Sequence, residues 1–152
     1  MTGPDVPFVD EHTVVIDAPA EAVWENLVRQ VSGLFAGGLA PRYARAVGCD
    51  DQTVGGPRPL AEGSSVPGFH VEVLTPPSEL VLAGGHRFST YVLRFRVEPI
   101  SATQSRLRAE TRAAFPGVAG GLYRLAVIGT GGHKVAVRKI LTRVNRSAVG
   151  RA

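Results

Sequence analysis

The chain has 152 residues, and its 44% hydrophobic and 20% charged residues are typical of a globular protein and exclude a disordered one. A chain of this length most simply forms one domain. Its net charge is +4, and no apolar run approaches the roughly 20 residues that a membrane-spanning helix needs, so we expect no transmembrane protein.

The N-terminus and the single cysteine indicate a compartment. The opening segment MTGPDVPFVDEH contains neither a basic region nor an apolar stretch, so it shows no signal peptide. Cys49 can form no internal disulfide, which fits a reducing cytoplasm. We therefore expect a cytoplasmic protein. Two prolines and a glycine in residues 1–9 predict a loose tail, and residues 10–148 are assigned to a single domain.

The positive charge is concentrated at the C-terminal end. Glu110 is the last carboxylate, and seven cations follow it between residues 117 and 152, namely Arg124, Lys134, Arg138, Lys139, Arg143, Arg146 and Arg151. Such a run is usually a solvated helix face. The alternative is an anionic partner, either acidic lipid, nucleic acid or another protein. Because no recognised motif or interleaved aromatic residue accompanies the charge, we expect no nucleic-acid partner.

The first predicted element is an alternating strand over residues 12–17. Ala18-Pro19 ends this strand, and Pro19 and Glu21 occupy the first turn of a helix. Apolar residues then repeat at helical spacing, which predicts an amphipathic helix with a buried face formed by Val23, Trp24, Leu27, Val28 and Val31.

The segment after this helix is rich in glycine and proline. Residues 32–40 contain three glycines and predict a short second helix or a turn, and residues 43–49 predict a strand. Residues 50–68 predict a loop that includes a short strand over 64–66.

Four further strands are predicted next. Two of them, over residues 69–74 and 79–84, are joined by a turn; in the first, the inward residues are Phe69, Val71 and Val73, and the outward ones His70, Glu72 and Leu74. Residues 89–98 and 105–115 alternate strictly between apolar and polar side chains, so each strand has one buried and one solvated face. The solvated faces carry arginines interleaved with glutamates.

Residues 118–148 predict one long C-terminal helix. At about 100° per residue, its apolar face carries Val137, Ile140, Leu141, Val144 and Ala148. The same helical wheel points Tyr123, Thr130 and His133 toward the sheet if the helix is continuous through residues 129–132. A break at the glycines there would remove this phase relationship, and the sequence leaves both cases open.

Three segments resemble the START and birch-pollen-allergen-like superfamily, also called SRPBCC. HTVVIDAPAEAVWENL is similar to its N-terminal strand and helix, and PPSELVLAGGHRFSTYVLRFRVEPISATQSRLRAETRAAFPG to its central strands. LYRLAVIGTGGHKVAVRKILTRV looks like the C-terminal helix of a bacterial subgroup of polyketide cyclase/dehydrase type. The resemblance spans residues 10–148.

The resemblance implies an α+β helix-grip fold. In that fold a curved seven-stranded antiparallel sheet wraps around a long C-terminal helix, and two short helices follow the first strand. An apolar cavity typically lies between sheet and helix, and superfamily members bind lipids, sterols, polyketides, hormones or quinones; some are aromatase/cyclases. Members share no fixed catalytic set, so the fold selects none of these functions.

The residues themselves also indicate a cavity. Small side chains on the inner face of the last strand oppose large ones on its neighbour, which either interdigitate or leave a pocket. The candidate lining residues are Tyr91, Leu93, Phe95, Ala109, Thr111, Ala113, Tyr123, Ala126, Thr130 and His133. Aromatic residues and a lone histidine on an apolar face belong more often to the core. His86 and Arg87 lie either at the cavity mouth or in a turn.

The sequence carries no catalytic or cofactor signature. It has no GxSxG elbow, P-loop, HExxH or CxxC motif, and its four histidines show no metal-ligand spacing. Glu72 and Glu110 alternate outward, so no inner-face carboxylate for acid–base chemistry is evident. We expect no catalytic residue set, no cofactor and no metal.

Three functions fit these observations. The first is a binder or carrier of a hydrophobic or amphipathic small molecule such as a lipid or polyketide. The second is a polyketide cyclase/dehydrase-like enzyme in which Tyr91, Thr111, Tyr123 or His133 transfers protons. The third is a module that docks an anionic partner through the basic C-terminal helix. We expect the first, and the oligomeric state stays open between monomer and homodimer.

Overall fold

The computed structural model describes residues 6–34, 48, 61–66, 68–86, 89–115, 117–125 and 132–149. These residues form six strands and three helices: β1 (Phe8–Ile16), α1 (Ala20–Leu34), β2 (Ser65–Val66), β3 (Phe69–Thr75), β4 (Glu79–His86), β5 (Ser89–Ser101), β6 (Gln104–Ala114), α2 (Gly117–Arg124) and α3 (Gly132–Val149). The strands form one antiparallel sheet in the order β1-β6-β5-β4-β3-β2.

The main core lies between one face of this sheet and the helices α1 and α3. We call the face of the sheet that α1 and α3 cover the concave face. Its fully buried side chains include Ile16, Leu80, Phe95 and Leu107. The predicted apolar faces of both helices are confirmed, because Val23, Trp24, Leu27 and Val31 of α1 and Val137, Ile140, Leu141, Val144 and Ala148 of α3 are all buried in this core. The two helices also contact each other.

The strict alternation predicted for the two longest strands is confirmed. On β5 and β6 the odd-numbered residues point into the concave face, while the even-numbered arginines lie on the opposite, outer face. There they pair with carboxylates: Arg96 with Glu79, Arg106 with Glu98, Arg108 with Glu98 and Glu11, and Arg112 with Glu110. The hydrogen bonds from Arg108 to Glu98 and then to Glu11 raise the pKa of the Arg108 guanidinium.

The first strand begins at Phe8, four residues earlier than predicted, so the expected loose tail over residues 1–9 is wrong for its last residues. The amide of Ala113 donates to the carbonyl of Pro7 at 2.9 Å. Val6 is buried against an apolar cluster on the outer face. The strand therefore extends because backbone pairing and apolar burial hold residues that carry no strand signal.

A β-bulge changes the orientation of side chains in β3. The register with β4 shifts between Val71 and Val73, which adds one residue to β3. As a result Val73 packs against the outer-face cluster, and Leu74 packs against the main core. The predicted inward Val73 and outward Leu74 are wrong, because a one-residue shift moves every following side chain to the other face.

The α+β helix-grip architecture is confirmed as a curved antiparallel sheet with a long C-terminal helix. The predicted strand over residues 43–49, apart from Gly48, and most of the predicted second helix lie outside the described residues. The stretch predicted as one helix over 118–148 contains α2 and α3, and residues 126–131 between them are also outside the described part of the chain.

Two valines of α3 provide a matched test of the packing between this helix and the sheet. Val144 is fully buried, whereas Val135 is 60% exposed. We expect Val144→Ala to lower the free energy of unfolding by about 2 kcal/mol, because it leaves a cavity in the core. Val135→Ala should change it by less than about 0.5 kcal/mol. Urea unfolding followed by circular dichroism measures both, and equal effects would contradict the described packing of α3.

Candidate functional site

Tyr91 occupies a position that the neighbouring strands create for it. Its ring lies against Gly84 of β4, the residue that opposes it across the β4–β5 pair. Its hydroxyl donates a hydrogen bond of 2.5 Å to the carbonyl of Gly68, at the start of β3. A Cβ atom at residue 84 would lie 2.2 Å from that carbonyl oxygen and 2.7 Å from the Tyr91 ring. The missing side chain at Gly84 therefore lets Tyr91 reach across β4.

Tyr91 belongs to a group of ring side chains that links the sheet to α2. The centroid of Tyr91 lies 5.1 Å from that of Phe69 and 5.6 Å from that of His86. The His86 ring in turn contacts Tyr123 of α2 at 4.7 Å in an edge-on arrangement, and Phe115 lies 6.3 Å from Tyr123. We call these five residues the aromatic cluster. They lie at the end of the concave face where β5 begins and β6 ends.

Beside the aromatic cluster, the concave face of β6 carries small side chains. On β6, Ala109, Thr111 and Ala113 are all buried, and they oppose Phe95, Leu93 and Tyr91 of β5 in the register. Thr111 is 7% exposed, and its Oγ1 atom is buried with no hydrogen-bond partner among the described residues. Phe95 and Ala109 pack deep in the main core. Whether these residues contact a ligand stays a prediction.

The structure brings together several of the residues that the sequence singled out. Tyr91 and Tyr123 are joined through His86, which lies in the cluster rather than in a turn. His133 is the second residue of α3, and its side chain lies outside the described part of the structure. Ala126, Thr130 and Arg87 lie outside the described residues.

A histidine–aspartate pair on β1 was missed by the sequence reasoning. The Nε2 atom of His12 lies 3.2 Å from the Oδ2 atom of Asp10. In the pairing with β6, Asp10 opposes Thr111 and His12 opposes Ala109, so both point to the concave face. The expectation that the inner face carries no carboxylate is therefore wrong. Extending the alternation of His12, Val14 and Ile16 back by two residues would have found Asp10.

A surface pocket among the described residues lies away from the aromatic cluster. It has a volume of about 440 Å³ and lies at the opposite end of β5, where Val97 and Pro99 meet Pro19 of the β1–α1 connection and Pro77 of the β3–β4 turn. It contains none of the predicted lining residues. In the part of the chain that the structure describes, no three His, Cys, Asp or Glu residues lie close enough together to hold a metal ion.

The C-terminal helices expose both apolar and cationic side chains. Val118, Leu122 and Leu125, at and just after α2, are 83%, 64% and 67% exposed. On α3 the predicted cations Lys134, Arg138, Lys139, Arg143 and Arg146 are all exposed. Among the described helices, none has the length and apolar character needed to cross a membrane.

Gly84→Ala tests the close approach that positions Tyr91. The added methyl group would overlap the Gly68 carbonyl and the Tyr91 ring, and we expect it to lower the free energy of unfolding by about 3 kcal/mol. Gly121→Ala in α2 is the control, because a Cβ atom there has no neighbour within 4 Å. It should be neutral or stabilise the helix by up to about 1 kcal/mol. Equal urea midpoints for the two variants would contradict this placement of Tyr91.

Comparison with known proteins identifies the fold. No family model and no curated protein sequence matches the chain. Norcoclaurine synthase from Thalictrum flavum, solved as a point mutant with a transition-state analogue, is similar with a TM-score of 0.57 and 13% identity, over 97% of this chain and 99% of that chain. The ZhuI aromatase/cyclase from Streptomyces sp. R1128 is similar with a TM-score of 0.55 and 14% identity, over 96% and 93% of the two chains.

A third similar structure is the di-domain ARO/CYC BexL from the BE-7585A biosynthetic pathway. Its TM-score is 0.52 at 18% identity, and the match covers 91% of this chain and 45% of that one. At such identities the likeness concerns the fold. The chain therefore has the helix-grip fold that these solved structures share.

Proposed function

We propose that the chain binds a hydrophobic or amphipathic small molecule between the concave face and the C-terminal helices. The observation that carries this proposal is the aromatic cluster beside the small side chains of β6. The tyrosine and histidine rings of the cluster offer apolar surface together with a polar group, a combination that suits an amphipathic ligand. Ala113 and Thr111 lie beside the aromatic cluster on β6, with Ala113 opposite Tyr91. Their side chains are small, so a ligand that lies against the Tyr91 ring would meet little steric hindrance from this part of β6.

The proposal includes the compartment and the type of ligand. The single cysteine supports a cytoplasmic location. Lipids and polyketides are the ligand classes that suit an apolar site with few polar groups. The similarity to an aromatase/cyclase and to norcoclaurine synthase supports a small-molecule site in general and favours no particular ligand.

An enzyme of the polyketide cyclase/dehydrase type is the alternative within the same site. It would use Tyr91, Thr111, Tyr123 or His133 to transfer protons, as the sequence analysis suggests. The Tyr91 hydroxyl, however, donates its hydrogen to the Gly68 carbonyl. Because this donor is already engaged by the backbone, the structure favours binding over proton transfer at Tyr91. Conversion of a bound compound by the purified protein would favour the enzyme instead.

Two adjacent alanines at the end of β6 test the proposed location. Ala113 lies on the concave face opposite Tyr91, and Ala114 lies on the outer face. We expect Ala113→Leu to weaken binding of a fluorescent naphthalene-type probe at least about tenfold, the equivalent of about 1.4 kcal/mol, because the larger side chain fills the space beside the ring. Ala114→Leu should leave the affinity unchanged.

The control measurement is thermal unfolding of both variants, which shows that each is folded at the temperature of the titration. Equal affinity of folded Ala113→Leu and wild type would place the probe elsewhere and would count against the proposed site.

Docking on an anionic membrane surface is a second candidate function. The observations in its favour are the exposure of Val118, Leu122 and Leu125 and the exposure of the cations on α3, the next helix along the chain. Exposed apolar side chains together with an exposed basic helix are typical of peripheral contact with anionic lipid. The cations have no acidic neighbours in sequence after Glu110, so their charge is not offset locally.

Vesicle binding distinguishes this second candidate. We expect the protein to sediment with vesicles that contain anionic lipid and not with purely zwitterionic vesicles, because each basic residue near the surface contributes about 1 kcal/mol. Leu122→Ser with Leu125→Ser should reduce this binding several-fold, since apolar insertion is lost. Val15→Ser, at an exposed apolar residue of β1, is the matched control. Wild-type binding that is equal on both vesicle types would contradict the docking function.

A further inference from the structure

The residues Asp10, His12 and Thr111 form a polar group in an otherwise apolar part of the concave face. Asp10 and Thr111 are opposite each other in the β1–β6 register, and side chains in such a pair have Cβ atoms about 5 Å apart. The neighbouring residues across the sheet are apolar, with Leu93 opposite Thr111 and Ala109 opposite His12.

Asp10 keeps the alternation of His12, Val14 and Ile16, and a β-bulge lies just before it in β1. Phe8 opposes Arg112 on the outer face, and the register then shifts before Asp10. The Arg112 guanidinium lies over the Phe8 ring at 5.9 Å, and its Nη1 atom donates to the Val6 carbonyl. These contacts hold the chain on the outer side before the bulge. Bulges commonly redirect a side chain at the edge of a sheet, and here Phe8 lies on the outer face while Asp10 lies on the concave face.

The hydroxyl of Thr111 supplies an independent observation. Thr111 is only 7% exposed, and its Oγ1 atom is buried with no hydrogen-bond partner among the described residues. A buried hydroxyl without a hydrogen bond is costly, so native proteins generally provide one. Its position opposite Asp10 means that a polar atom placed above this pair of strands can satisfy it.

We propose that Asp10, His12 and Thr111 form a polar subsite that selects ligands carrying a hydroxyl or carbonyl group. This inference rests on the proposed small-molecule function and extends it to the ligand's chemistry. Thr111 donates to the ligand oxygen, and Asp10 accepts from a ligand hydroxyl. A carboxylate offers about four acceptor positions, one of which faces His12. His12, whose side chain is 15% exposed against 17% for Asp10, orients that carboxylate.

The division of the site follows from this placement. The aromatic cluster lies around the beginning of β5. The polar subsite lies on β1 and β6, where Thr111 is the concave-face residue of β6 that comes just before Ala113. A ligand with an aromatic or polyunsaturated body and an oxygen at one end fits both parts. Saturated hydrocarbons would leave the Thr111 hydroxyl without a partner and bind less tightly.

Two probes of similar size separate the contributions, 2-naphthol and 2-methylnaphthalene, titrated into the full chain by calorimetry. We expect wild type to bind 2-naphthol about tenfold more tightly. Asp10→Asn and Thr111→Val should each reduce this ratio several-fold, because each removes one hydrogen-bonding partner. Thr90→Val, which alters a threonine of the outer face, should leave the ratio unchanged.

The melting temperature of the free protein gives a second readout. Thr111→Val should raise it, since the substitution removes a buried hydroxyl that has no partner, whereas Thr90→Val should leave it unchanged. A lowered melting temperature for Thr111→Val would show that the hydroxyl is satisfied within the protein and would overturn the subsite. Equal binding of the two probes to wild type would overturn the subsite and leave the proposed function intact. Binding of neither probe would overturn both.

Discussion

The alternation of side chains along the paired strands β5 and β6 is the constraint on which the rest of the structure depends. Successive residues of a strand point to opposite faces, and these two strands keep their phase from Ser89 to Val97 and from Ser105 to Ala113. The concave face therefore receives the apolar side chains of the main core, and the outer face receives the arginines, their carboxylate partners and a smaller apolar cluster that includes Val92. The helices α1 and α3 can pack against the concave face because β5 and β6 present no charged side chain to it.

The site inherits its geometry from the same alternation. Tyr91 and Thr111 reach the concave face because they occupy odd-numbered positions of β5 and β6. Gly84 then allows the Tyr91 ring to cross β4, so that the Tyr91 hydroxyl can donate a hydrogen bond to the Gly68 carbonyl. The fold thus provides an apolar surface with a few polar groups at its edge, and the choice of ligand depends on those groups rather than on the scaffold.

The sequence predicted those elements whose periodicity is uninterrupted. The faces of β5, β6 and α3 follow from simple spacing, and Tyr91 was placed on the concave face of β5 on that basis. The bulges in β1 and β3 could not be predicted, because a bulge inserts one residue without a distinctive sequence signal. For this reason Val73 and Leu74 were assigned to the wrong faces. Asp10 was missed because the predicted first strand began at residue 12, whereas β1 begins at Phe8. The role of Gly84 depends on a distant carbonyl, that of Gly68, which no local pattern reveals.

Native mass spectrometry of the gently purified protein, before and after incubation with excess aromatic and amphipathic compounds, tests the existence of the ligand site most directly. The account predicts a discrete non-covalent adduct that is lost on denaturation, and fragmentation of the released compound should show an apolar body that carries a hydroxyl or carbonyl oxygen. A bare polypeptide mass under both conditions would contradict it, because a concave face that takes up no small molecule would be a closed core.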